Sequence, residues 1–117
     1  MALPLNIFKT VTHVLEATSA EIYTAPVGYS GVVLLAQVSN TGSTTETVTF
    51  SHQRTTNGVK VVTEIVKDFP IPANDTATFL DGKLSLESND VLVISGSSTD
   101  LKFLGSVLET LKWSGVM

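Results

Sequence analysis

No cysteine occurs in the chain of 117 residues. Disulfide staples and thiolate metal sites are thereby excluded, and nothing ties the chain to one redox compartment. Charge is scarce too: 7 Lys and Arg against 11 Asp and Glu give 15% charged residues and a net charge of -4. The cations Lys9, Arg54, Lys60, Lys67, Lys83, Lys102 and Lys112 stand singly, so the basic patch that neutralises phosphates is missing and nucleic acid is not an expected partner. No apolar run approaches the roughly 20 residues of a membrane span, so no membrane partner is expected either. The opening MALPLNIFKTV lacks the charged and long apolar regions of a signal peptide, which leads us to expect a chain made in a cytoplasm that stays soluble. No segment carries a long i, i+3, i+4, i+7 apolar stripe, so independent helices are not expected.

What the chain does have is 43% hydrophobic residues and abundant Ser and Thr. At this length it can bury a core as one domain. Low charge on such a chain favours a protein packed against others. The stretch YTAPVGYSGVVLLAQVSN, Tyr23 to Asn40, organises the rest. A Pro-Val-Gly turn releases an uncharged run rich in Val and Leu, and Asn40-Thr41-Gly42 ends it. Taken two by two, Val32, Leu34, Ala36 and Val38 face one way, and Val33 and Leu35 the other. Both faces are apolar, so we expect a central strand covered on both sides.

Around it the chain reads as short strands. Met1 to Phe8 is an apolar arm, with Leu3, Leu5, Ile7 and Phe8 too apolar for a free tail. It is either a first strand on its own sheet or an arm on a neighbouring subunit. Lys9 to Glu16 is β-branched and extended, and Glu21 to Thr24 is a short strand. Ser43 to Arg54 alternates, with Val48, Phe50 and His52 on one face and Thr47, Thr49, Ser51 and Gln53 on the other. Asn57-Gly58 is a strong hairpin signal, because both positions tolerate positive φ, and Val59 to Asp68 returns along the same path. Phe69-Pro70-Ile71-Pro72 must be an edge or a crossing between sheets, since neither proline can donate a ladder bond. Thr76 to Leu80 and Lys83 to Glu87 flank Asp81-Gly82, a second hairpin signal. Val91 to Ser95 and Leu101 to Leu111 close the series.

Candidate chemistry is thin. His13 and His52 lie alone on β-patterned runs, with no His-x-His or His-Glu-x-x-His spacing for a metal. The carboxylates are spread singly, and several flank turns, where Asp is expected for its local hydrogen bonds. There is no Gly-x-Ser-x-Gly, and Gly28 to Gly31 precedes a strand instead of a helix, so it is no phosphate cradle. No cofactor, metal site or catalytic group is expected, which leaves two classes: a structural subunit of a large assembly, or a glycan-binding module. Tyr23, Tyr29 and Trp113 are the only plausible sugar-stacking aromatics, and they are not grouped. The structural class is favoured.

The segments IYTAPVG, VVLLAQVSNTGSTTETVTFSH, IVKDFPIPANDTATFLDGKLSLESNDVL and the closing SVLETL carry a further signal. From Glu21 to Leu111 the chain resembles small β-sandwich virion proteins of tailed bacteriophages, particularly those of cyanophage type. Ser88-Asn89 stands where that pattern usually has Ala-Gly, a change that keeps the turn. The resemblance implies a virion location, with synthesis in the host cytoplasm, and a structural role as a head decoration or a neck or tail accessory. It supplies no catalytic residues.

The expected fold is all-β: an antiparallel β-sandwich, jelly-roll-like, of about eight or nine strands. Residues 1–20 form an arm and first strand, and residues 21–117 the sandwich, one domain overall. The expected core is Val32, Leu34, Val38, Val48, Phe50, Ile65, Phe79, Leu84, Leu86, Val91, Val93, Phe103 and Val107. The expected partners are other virion proteins and copies of the chain itself, a trimer as first guess. Leu3, Leu5, Ile7, Phe8, Val33, Leu35 and Trp113 are the interface candidates.

Overall fold

In the computed structural model, which describes residues 6–111, Asn57 and Gly58 take φ values of 53° and 78°. Positive φ at both positions is what a two-residue hairpin loop needs to match the twist of its strands. This turn sits at the middle of the topology. Before it run β1 (Asn6–Val14), β2 (Ala20–Thr24), β3 (Tyr29–Asn40) and β4 (Glu46–Thr56). After it run β5 (Val59–Ile71), β6 (Thr76–Thr78), β7 (Leu84–Leu86), β8 (Val91–Gly96) and β9 (Leu101–Leu111). The first half pairs with the second in reverse order: β4 with β5, β3 with β6 and β7, β2 with β8, and β1 with β9, all antiparallel. The chain is thus one long hairpin rolled on itself. Rolling produces two sheets, β1-β9-β3-β6 with β7 also on β3, and β2-β8-β4-β5. The result is an all-β sandwich of two antiparallel sheets, with nine strands among the described residues.

The core lies between the inner faces. Phe50 from β4 packs against Phe103 of β9, with ring centroids 5.6 Å apart, and against Phe79, at 5.8 Å. Val38, Val48, Leu86 and Val107 are buried beside them, as expected, and Ile65, Phe79 and Leu84 pack on the margin. Leu15 and Leu101 close one end over Gly96, where a β-carbon would lie only 2.7 Å from the Leu15 side chain.

Four core expectations fail, for two reasons. In β3 the ladder to β9 skips a residue between Val33 and Leu35, leaving Leu34 as a bulge. A bulge consumes one residue and switches which side chains face inward. Val33 is therefore fully buried, while Leu34 is exposed and Val32 and Leu35 are half-buried. Ala36 and Val38 carry the core beyond the bulge. In β8 the inward residues are Leu92 and Ile94 instead of Val91 and Val93. All four are apolar, so alternation could not mark the inner side.

Asp81-Gly82 is not a hairpin. Both β6 and β7 lie antiparallel to β3, one after the other along the same lane. The Asp81–Gly82 segment only bridges the gap opposite the β3 bulge, with Gly82 at φ 111°. Phe69 to Pro72 behaves as expected. Pro70 sits on the edge strand β5, and the chain then crosses to the other sheet.

Candidate interaction surface

Two buried carboxylates fix the sandwich at the end where β4 and β8 part. Asp90 immediately precedes β8, and because Val91 pairs with Gln53, Asp90 comes next to Arg54. Arg54 donates from Nε to Asp90 Oδ1 at 2.9 Å and from Nη2 to Oδ2 at 2.6 Å. His52 Nε2 lies 3.0 Å from the same carboxylate, and the Glu87 N–H donates to it at 2.9 Å. Burial opposes ionisation of Asp90, but the hydrogen bonds from Arg54, His52 and the Glu87 backbone outweigh it. They hold the carboxyl well below the usual carboxylate range. The second carboxylate is Glu109, on the inner face of β9. It accepts a short hydrogen bond from the Tyr23 hydroxyl of β2, and Lys9 of β1 lies 3.4 Å away. This joins the two sheets across the core. Burial, then the hydrogen bond and the charge of Glu109, push the Tyr23 phenol above its ordinary value.

Each cluster ties separate strands together through its hydrogen bonds. No serine or threonine hydroxyl hydrogen-bonds to His52 among the described residues, and no three His, Asp or Glu side chains converge there as a metal site would require. In the sequence His52 reads as an isolated strand residue, and its partners emerge only in the fold. The available signal is His52-x-Arg54, two nitrogen-bearing side chains on one strand face, with an Asn-Asp turn elsewhere in the chain to meet them. The aromatics singled out for sugar stacking are also dispersed: Tyr23 faces inward on Glu109, and Tyr29 is half-buried at the start of β3.

The surfaces differ more than the core does. On the outer face of the β1-β9-β3 sheet the register aligns Phe8, Leu108 and Val32 in one row. The next rows along are Thr10, Ser106 and Leu35, then Thr12, Leu104 and Gln37. Phe8 is 71% exposed, and Val14, Leu34 and Leu104 are also exposed. A shallow groove runs here between Thr12, Val14, Gln37 and Leu104. The outer face of the other sheet carries Thr47, Thr49, Gln53 and Ser95, with a buried Ser51 and the half-buried Val91 and Val93 between them, and its shallow groove is lined largely by hydroxyls and Asp68.

Of the interface candidates, Phe8 and Leu35 lie on the apolar outer face. Ile7 pairs opposite Glu109 on the inner side of β1 and is half-buried. Val33 faces its own core, a correction that follows from the bulge. Leu3, Leu5 and Trp113 lie outside the described residues. Asn6 to Phe8 pairs with Leu108 to Thr110 of its own chain.

Comparison with solved structures supplies neighbours in fold. The chain is similar to a chain in the acidic stable capsid structure of Helicobacter pylori bacteriophage KHP30, with a TM-score of 0.55 and 15% identity. That match covers 94% of this chain and 90% of the other. A chain of the disulfide-linked pili of Bacillus endospore appendages matches at a TM-score of 0.45 and 16% identity, over 91% and 87% of the two chains. No family model and no curated protein matches the sequence.

Proposed function

We propose that the chain is a non-enzymatic structural subunit of a bacteriophage particle and works through subunit–subunit contacts. The observation that carries this reading is the apolar outer face around Phe8, Leu34 and Leu104. An antiparallel sheet with one face in water commonly makes that face polar; here the exposed Phe8, Val14, Leu34 and Leu104 stand among Thr10, Thr12, Ser106 and Gln37, and a partner would take those apolar groups out of water. The fold likeness to a phage capsid chain over nearly the whole length supports the phage setting, as does the resemblance of its turn and core motifs to virion proteins of cyanophage type. The finer reading is a head decoration or a neck or tail accessory protein, made in the host cytoplasm and assembled into the virion. It forms a homo-oligomer, a trimer as first guess, in which Leu3, Leu5 and Phe8 of one copy help seal the next, Ile7 being turned to its own core, and other virion proteins complete the contacts.

Immunogold labelling tests the setting. Antibodies against the chain should mark particles of its source phage at one fixed position, on the head, the neck or the tail. Particles that carry no label while infected-cell extracts do would overturn the virion reading.

A further inference from the structure

Strand β5 is the edge of its sheet among the described residues, and its two halves are protected very differently. Between Ile65 and Ile71 the ladder to β4 slips twice. Asp68 takes φ 49° and donates its N–H to Thr49 Oγ1 at 3.1 Å, and Pro70 has no N–H to offer. Bulges, a left-handed residue and a proline are the devices that stop an edge from pairing further. From Val59 to Glu64 none of them occurs. That half is regular, and Val59, Val61 and Val62 are 62%, 54% and 51% exposed. β8 ends its pairing at Gln53, so the hairpin beyond is a two-stranded ribbon projecting from the sandwich.

We infer that this open half-strand pairs with the same segment of a second copy, antiparallel, about a two-fold axis through Val62. Which backbone groups are free follows from the turn. In a two-residue hairpin the closing pair, here Thr56 and Val59, exchanges hydrogen bonds within the hairpin, and alternate pairs follow. The backbone groups of Val59, Val61 and Thr63 are therefore used on β4, and those of Lys60, Val62 and Glu64 point out from the edge. A two-fold through Val62 brings Val62 opposite Val62 and Lys60 opposite Glu64 in both directions. All of these are residues whose backbone groups are free to pair. Charge selects this register. Lys60 has no ion-pair partner among the described residues, and Glu64 has only Lys67 at 4.0 Å. The β-branched Val61 and Thr63 then face each other across the new pair. The two four-stranded sheets become one continuous sheet. This contact uses an edge of one sheet, whereas the apolar outer face belongs to the other, so one subunit can make both. The pairing does not depend on a virion location.

The absence of native cysteine makes the test clean. A Val62→Cys variant has one thiol per chain, and in the proposed register its twin lies about 5.5 Å away between Cα atoms, within disulfide range. Mild oxidation at tens of micromolar should give a linked dimer. Val27→Cys, on an exposed loop, should not dimerise above background. Adding Lys60→Glu or Glu64→Lys to Val62→Cys sets like charges opposite each other twice and should lower the yield on the order of tenfold. Mixing those two double variants restores both opposite-charge pairs and should restore the yield. Val62→Cys linking no faster than Val27→Cys would overturn the inference, as would a mixture that links no better than its separate parts. Circular dichroism confirms that each variant keeps its sheet content.

Discussion

Phe8, Leu34 and Leu104 stand on the outside of one sheet, and Thr47, Thr49, Ser51 and Gln53 on the outside of the other. Both sheets turn the same kind of inner face to the core, where Phe50 and Phe103 meet. The difference shows how a chain with only 15% charged residues divides its surface. Hydroxyls and amides, with Val91 and Val93 half-buried among them, let one sheet face water with little charge. The other sheet keeps leucines and a phenylalanine in the same strand positions, which is stable in water only under a partner. The inner faces set the fold, and the contrast of the outer faces sets how copies meet.

The comparison can be broken from the inside first. Phe50→Ala removes the ring that both sheets share and should cost roughly 3–5 kcal/mol in urea unfolding. A loss below about 1 kcal/mol would mean that Phe50 does not lie at the centre of the core.

The polar clips come next. Asp90→Ala strips Arg54, His52 and the Glu87 N–H of their acceptor and should cost about 2–3 kcal/mol. The pH dependence has a defined sign. The folded Asp90 carboxyl lies below its unfolded value of about 3.9, so its contribution is complete above that value and is lost as pH falls through the folded one. The stability gap between wild type and Asp90→Ala should therefore narrow only on acidification below about pH 4. A gap that stays constant down to pH 2 to 3, on the order of a unit or more below the unfolded value, would mean that folding does not lower the carboxyl and would contradict the account. A gap that narrows already near pH 6, roughly two units above it, would contradict the account. Tyr23→Phe leaves buried Glu109 without its hydroxyl donor and should cost about 1–2 kcal/mol. A neutral result would show that Lys9 alone satisfies the carboxylate.

The outer faces should give the smallest folding effects and the sharpest contrast. Leu104→Ser and Gln53→Ser should each change monomer stability by less than about 1 kcal/mol. Only Leu104→Ser should lower the mass in solution. Equal effects of the two on association would erase the distinction between the faces.

Much of this fold was legible in the chain. Asn57-Gly58 marked the central turn, Pro70 and Pro72 marked an edge and a crossing, and Val48 and Phe50 showed their inner side by clean alternation. The misreadings fall where the physical signal is absent. The bulge at Leu34 leaves no mark in a run of five consecutive apolar residues, Val32 to Ala36, so plain alternation puts Val33 and Leu34 on each other's faces. Val91 to Ile94 is apolar on both sides, so burial depends on which face meets the other sheet. Asp81-Gly82 satisfies the local rule for a hairpin, but three-residue strands on either side prefer the open lane of β3. The Asp90 cluster joins residues 36 and 38 positions apart, a proximity that only the pairing of β4 with β8 creates. The need for cover is legible in the two-sided apolar run through Val33 and Leu35: Leu35 does lie on the outer face, and Val33, on the other side of the bulge, faces the core.

The most direct measurement is the mass of the purified chain in solution by light scattering at tens of micromolar. It is run beside a Phe8→Ser, Leu104→Ser double variant and beside Lys60→Glu, so that mass held at the hairpin edge is read separately. The account predicts a wild-type mass that is a multiple of 12.4 kDa, with three copies joined through the apolar face and that number doubled where the hairpin edges also pair, and a double variant that falls to a smaller assembly with an unchanged far-UV spectrum. A wild-type chain that is already a 12.4 kDa monomer, or a double variant that keeps the full wild-type mass, would contradict the claim that this face joins subunits.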